Sequence, residues 1–328
     1  MEGQQSMSQT TAGKDLVLLC PGQGSQQVGM GKSLFQEFKE VRETFEQASE
    51  ALGYAMDSLC FEDPEQKLGL TEYTQPALLC VTVATWRALT SRWGVVPPVS
   101  VALGHSLGEY SALVLAGAWS LETALKAVAY RGKSMQEAVP VGVGAMAACL
   151  NVDPVVLSEI CEATQMVQKA CVEVVNHNTP AQLIISGHKM AVEKVCEEIK
   201  TRKLGKTIFL PVSGPFHSSL MAPAAQKMKE WLKSVTLKPL AFPVLSTADQ
   251  VLYKESDYSA ELLSLQICRP VYWYQSIQST LSMGSDLRYL EIGAGTILQG
   301  LCKKILPSGT VLSGTQDLDS VLQLLNQN

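Results

Sequence analysis

Gly104-His105-Ser106-Leu107-Gly108 constrains this chain more than any other stretch. It lies between an apolar run of strand length, residues 99–103, and a helix-like run, residues 109–116. A serine on a tight turn between a buried strand and a helix start has its hydroxyl pushed out of the backbone. The flanking glycines remove the side chains that would clash there. The following helix aims its N-terminal amides at the same point, where an oxyanion would form. A Gly-rich βα turn with an incidental serine shares the pattern, but the strand and helix flanks favour the reactive reading. Ser106 is the candidate nucleophile, and an α/β protein with a parallel sheet core is the expected fold.

At 328 residues, 46% hydrophobic and 17% charged, the chain has enough apolar material for one large domain or two modest ones. No apolar run reaches the ~18 residues of a membrane span, and residues 1–13 are polar, with neither a signal-peptide core nor the arginines of a transit peptide. The expectation is a soluble, cytoplasmic protein with a disordered tail at 1–13. A net charge of −5 and the lack of a basic run with interleaved aromatics disfavour nucleic acid as a partner. Nine cysteines, without a Cys-x-x-Cys pair and mostly inside apolar runs, read as reduced core residues.

Two phosphate-loop patterns fail. A Walker loop ending at Gly31-Lys32-Ser33 has Gln26 where glycine is needed. In Gly293-Ala294-Gly295 the third glycine of a dinucleotide fingerprint falls on Leu298. Helical spacing predicts helices over 34–52, over 74–86 entered through Pro76, and over 120–138. The last carries the apolar face Leu121, Ala124, Val128, Arg131, Met135, so Arg131 occupies a core-facing position. An arginine there either snorkels to water or meets an anion, and its fork is suited to a substrate carboxylate.

Residues 142–211 read strand, helix, strand, strand, helix, strand, the order of a ferredoxin-like unit. Strand and helix alternation resumes afterwards. The expected organisation is a discontinuous, α/β-hydrolase-like large domain at 14–141 and 212–310, a small ferredoxin-like subdomain at 142–211, and a C-terminal segment at 311–328 packing on the large domain. Of the four histidines, His177 and His188 fall in the insert, and the side chain of His105 is expected to point away across the turn. His217, in a loop before a helix, remains as the general base. No acid stands out as a third member, so a Ser-His dyad is expected, with Asn178 and Gln266 as candidates for orienting the imidazole.

Pro21-Gly22-Gln23-Gly24-Ser25-Gln26, Thr74-Gln75-Pro76-Ala77, Gly104 to Tyr110, Arg131-Gly132 with Met135-Gln136, Gly142-Val143-Gly144-Ala145-Met146, Gly214-Pro215-Phe216-His217, and Gln266 through Pro270-Val271 occur in one order along the chain. In that order they resemble the malonyl-CoA:acyl carrier protein transacylases of fatty acid synthesis, over residues 16–306. The resemblance implies that Ser106 takes the malonyl group from coenzyme A and that His217 removes the serine proton and later activates the carrier's pantetheine thiol. It also implies that the Gln23 and Leu107 amides form the oxyanion hole and that Arg131 holds the malonyl carboxylate. Gln266 matches the position that orients the histidine through its backbone carbonyl, and His105 and Asn178 match positions lining the pocket. Met135 and Phe216 match positions that crowd the malonyl α-carbon, favouring malonyl over methylmalonyl. The implied enzyme is monomeric, uses no cofactor or metal, and meets an acidic carrier protein. Lys189, Lys194, Lys200, Arg202, Lys203 and Lys206 are available for that contact. Ala294 replaces a usual proline, and Cys268-Arg269 replaces variable residues, neither of them expected to touch the chemistry.

Two rivals remain. A serine hydrolase expects an acid between serine and histidine and has no use for Arg131. A catalytically idle carrier-binding subunit has no reason to keep Ser106, His217 and Arg131 together. A malonyl transferase serving polyketide rather than fatty acid synthesis is the further alternative.

Overall fold

The computed structural model describes residues 15–212, 214–254 and 260–326. The tail expected at 1–13 lies outside them. Two sheets organise the molecule. The strands are β1 (Leu16–Cys20), β2 (Val99–Gly104), β3 (Gly144–Leu150), β4 (Val172–Thr179) and β5 (Gln182–His188), then β6 (Lys206–Phe209), β7 (Val244–Leu245), β8 (Leu252–Tyr253), β9 (Arg288–Glu291) and β10 (Val311–Gly314).

The larger sheet has the order β10-β9-β1-β2-β7-β8 and is parallel from β10 to β7, with β8 returning antiparallel. Its central strand β1, Leu-Val-Leu-Leu-Cys, is buried on both faces, as a strand between two layers of helices must be. Helices Thr71–Trp93, Gly108–Leu115 and Leu121–Glu137 carry much of the main core. The smaller sheet, β4-β5-β3-β6, is wholly antiparallel and covered by helices Pro154–Gln168 and Lys189–Thr201, with its own core. The result is a two-sheet α/β architecture. The main-chain bonds Val271 N–H to Val175 O (2.8 Å) and His177 N–H to Val271 O (2.9 Å) tie β4 of the smaller sheet to the segment that leads into helix Trp273–Thr280.

Register places the site. Cys20 pairs with Gly104, so the loops leaving β1 and β2 emerge side by side at the carboxyl end of the sheet. They touch closely: a Cβ on Gly22 would lie 2.3 Å from His105 O, and one on Gly108 would lie 2.0 Å from Cys20 O. Only glycine allows the Gln23 loop and the Ser106 turn to meet.

Two elements differ from the periodicity reading. The helix expected over 34–52 is two, Lys32–Glu37 and Lys39–Leu52, separated by an extended Phe38 whose ring is buried with the Arg92 guanidinium 5.3 Å above it. The helix expected from Thr74 begins at Thr71, so Pro76 lies in its second turn rather than at its entrance. The chain from 311 supplies β10, the edge strand of the larger sheet, and helix Leu318–Leu325, which lies against helix Thr71–Trp93.

Candidate active site

Ser106 sits between the end of β2 and helix Gly108–Leu115 with φ 53°, in the left-handed region where a serine is strained. His217, from the loop preceding helix Ala222–Leu232, has φ 64°. His217 Nε2 lies 2.7 Å from Ser106 Oγ. Its Nδ1 lies 3.1 Å from the carbonyl oxygens of Gln266 and Arg269. Carbonyls only accept, so Nδ1 carries the proton and donates to them, leaving Nε2 bare to accept from the serine hydroxyl. The dyad is therefore oriented by main chain, with no carboxylate behind the imidazole. Burial, the Arg131 charge and His105 lower the His217 pKa to about 3, which holds the imidazole neutral.

Arg131 is 0% exposed and lies across the same hydroxyl. Nη1 donates to Gln75 Oε1 (2.9 Å), and Nη2 donates to Gln266 Oε1 (2.8 Å) and Ser106 Oγ (3.2 Å), with the guanidinium carbon 5.3 Å from the Tyr110 ring centre. The snorkelling alternative does not apply. Gln75 is itself steered by Met135, whose sulfur accepts from Gln75 Nε2 at 3.5 Å.

A cavity of about 100 Å³ opens over these groups, lined by Gln23, Gln75, His105, Ser106, Leu107, Arg131, Met135, Met146, Asn176, Leu210, Val212, Phe216 and His217. Larger clefts, such as one of about 590 Å³ beside Trp119, lie away from the dyad. The main-chain N–H groups of Gln23 and Leu107 meet no acceptor among the described residues. Among those residues no cluster of three or more acidic, His or Cys side chains has metal-binding geometry, and no helix is long and apolar enough to cross a membrane.

Three expectations need correction. The His105 side chain does not point away: it lines the cavity, packs on Trp273 and donates from Nε2 to Asn178 Oδ1 at 3.0 Å. Asn178 accordingly serves His105, is not among the cavity-lining residues and does not orient His217; its neighbour Asn176 lines the cavity instead. Arg269 does reach the candidate dyad, through its carbonyl on His217, and its guanidinium is held by Asp249. Because that contact is made by main chain, the identity of residue 269 carries no trace of it. Sequence reading also passed over Gln75, although a lone amide inside an apolar helix is a signal, and Glu109, whose buried carboxylate accepts from Gln266 Nε2 at 2.8 Å.

The acyl transferase domain model matches residues 17–308. The chain is 40% identical over 290 residues to the malonyl CoA-acyl carrier protein transacylase of Escherichia coli, covering 88% of this chain and 92% of that protein. This chain belongs to the malonyl-CoA:acyl carrier protein transacylase family. The Bacillus subtilis transacylase is also 40% identical, over 291 residues covering 88% of this chain and 90% of that one. Among solved structures, the transacylase of Clostridium perfringens superposes with a TM-score of 0.88 at 40% identity, covering 95% of this chain and 96% of the other. A malonyl transacylase solved in complex with its type II PKS acyl carrier protein superposes at 0.88 and 37% identity, covering 96% and 100%.

Proposed function

We propose that this family member transfers malonyl from malonyl-CoA to the phosphopantetheine thiol of an acyl carrier protein through a malonyl-serine intermediate. The observation that carries the reading is one hydroxyl shared by two groups: Ser106 Oγ is 2.7 Å from His217 Nε2 and 3.2 Å from Arg131 Nη2. The first makes a nucleophile. The second sets a fixed cation where the distal carboxylate of a short diacid would lie, in a cavity with room for a small acyl group.

In the forward half-reaction the Ser106 proton passes to Nε2 as Oγ attacks the thioester carbonyl. The oxyanion falls to the Gln23 and Leu107 amides, where one such donor is typically worth ~10² to 10³ in rate. The coenzyme A thiolate leaves and takes the proton from Nε2. In the second half the pantetheine thiol gives its proton to Nε2, its sulfur attacks the serine ester, and Ser106 recovers the proton as it leaves. Arg131 binds the malonyl carboxylate, Gln266 holds both His217 and Arg131, and Met135 and Phe216 press on the α-carbon. His105 shapes the wall, and Asn178 steadies His105. No cofactor enters these steps.

The larger unit, 14–141 with 212–310, is α/β-hydrolase-like, a reading supported by its parallel strands and the strand-turn-helix at Ser106. The insert, 142–211, is ferredoxin-like, supported by the antiparallel order β4-β5-β3-β6. A monomer in a reducing cytoplasm fits thiols that are all free, seven of them buried. For carrier docking, Lys200, Lys203 and Lys206 are better suited than Lys189, Lys194 and Arg202, which lie beside Glu193, Glu197 and Glu198. The carrier of fatty acid synthesis is the first assignment. Likeness to the transacylase bound to a type II PKS carrier supports polyketide synthesis as the second.

Intact-mass spectrometry after brief incubation with malonyl-CoA tests the reading. Wild type gains one malonyl group and Ser106→Ala none, and adding holo carrier protein moves the adduct to the carrier thiol. Decay to free malonate at the same rate with and without carrier would instead mark a hydrolase.

A further inference from the structure

Gln266 is buried with its amide between three partners. Nε2 donates to Ser106 O at 2.9 Å and to Glu109 Oε2 at 2.8 Å, and Oε1 accepts from Arg131 Nη2. Only one orientation satisfies all three, because a flipped amide would set Nε2 against the guanidinium and Oε1 against two acceptors. The Ser106 carbonyl reaches one side of that NH2 group. Glu109 reaches the other, from the first turn of helix Gly108–Leu115, and is 2% exposed. No step of the proposed chemistry uses this carboxylate. A buried acid next to a reacting serine is costly to keep unless it does something there.

We propose that Glu109 is a positioning residue for acyl-group selectivity: by accepting from Gln266 Nε2 it turns the Gln266 carbonyl oxygen toward Arg131 and so aims the guanidinium at a carboxylate-bearing acyl group. The chain of contacts runs Glu109, Gln266, Arg131, Ser106, and each link is a hydrogen bond of 2.8 to 3.2 Å. Gln75 holds the other guanidinium nitrogen. With both amides correctly turned, the fork is fixed from two sides. Losing the Glu109 acceptor leaves the NH2 side of the Gln266 amide held by the Ser106 carbonyl alone, so the amide and the Arg131 nitrogen it holds are less firmly aimed. Ser106 and His217 keep their own bond, and the carbonyl that Gln266 lends to His217 belongs to the main chain. The effect therefore falls on acyl groups that end in a carboxylate and spares those that do not.

This inference rests on Arg131 being the carboxylate anchor, and the test separates the two. Rates of Ser106 acylation by malonyl-CoA and by acetyl-CoA are followed by intact mass for wild type, Arg131→Ala, Glu109→Ala, Glu109→Asp and Glu109→Gln, each checked for a cooperative melt. Arg131→Ala is expected to lose the preference for malonyl. Glu109→Ala lowers kcat/KM for malonyl-CoA by about tenfold and changes acetyl-CoA by less than about twofold. Glu109→Asp, one methylene too short to reach Nε2, shows the same selective loss even if the alanine variant does not fold. Glu109→Gln keeps an acceptor oxygen at the right reach and stays within about threefold of wild type. Equal losses for both thioesters, or a Glu109→Gln as damaged as Glu109→Asp, would overturn the inference while leaving the anchor intact. Unchanged malonyl preference in Arg131→Ala would overturn the anchor, and the positioning role with it.

Discussion

His217 shows how a single residue is tuned by what surrounds it. Its pKa, lowered to about 3 by burial and by Arg131, lies below the ~6.5 of an unfolded chain. The neutral imidazole is thus retained as pH falls, and the acylation rate should keep its basic group well below pH 6.5. The same shift has a consequence for stability. Below pH 6.5 the unfolded state binds a proton that the folded state refuses, so the stability contribution is complete above 6.5 and is lost as pH falls toward 3. His105 and His177 are lowered as well, by burial, and share that slope. Thermal melts between pH 4 and 7 should therefore fall more steeply for wild type than for His217→Leu, the difference being the share of His217. Glu109 moves the other way. Burial raises it to about 7 against the favourable bonds from Gln266 and Ser246. None of these shifts is visible in residue type alone, because each comes from neighbours distant along the chain.

At the level of elements, the turn between β2 and helix Gly108–Leu115 is held by contact with β1. A methyl group on Gly108 would strike the carbonyl of Cys20 at 2.0 Å and its carbon at 2.7 Å. Gly108→Ala should cost about 1–3 kcal/mol, read as a lower melting temperature. It should also slow malonyl-serine formation by on the order of 10², because the turn that carries Ser106 must lift away from the Gln23 loop. Much of this was legible beforehand: the strand, the glycines and the helix start are local patterns, and so is Arg131 on the apolar face of helix Leu121–Glu137. What periodicity missed were breaks of one residue. Phe38 interrupts two helices by turning extended, with its side chain packed into the core beneath Arg92, a tertiary preference with no local cue. Pro76 marks a helix start in sequence, yet here it is carried inside one, since packing along Thr71–Trp93 outweighs one missing hydrogen bond.

For the whole molecule, the decisive fact is that the cavity is lined from both sides of the two-sheet architecture. Met146 and Asn176 lie on strands of the smaller sheet and Leu210 just past its β6, while Ser106, Arg131 and His217 come from the chain before and after that sheet. The His105 to Asn178 bond crosses between them, alongside the main-chain bonds between β4 and Val271. Asn178→Ala should lower stability by roughly 1 kcal/mol and keep malonyl-serine formation, at a reduced rate, in a protein that still melts in one transition. Calorimetry beside the mass assay checks all three. The sequence by itself determined the Ser106 turn with its strand and helix, the core-facing arginine, the βαββαβ order of 144–209 and the family, because these depend on patterns within a few residues or on motifs in fixed order. Only the tertiary structure decided which carbonyls hold His217, which way His105 turns, that Asn178 serves His105, and that Glu109 reaches Arg131 through Gln266. Those contacts join residues up to 157 positions apart, and hydrogen-bond direction there depends on the packing of whole elements.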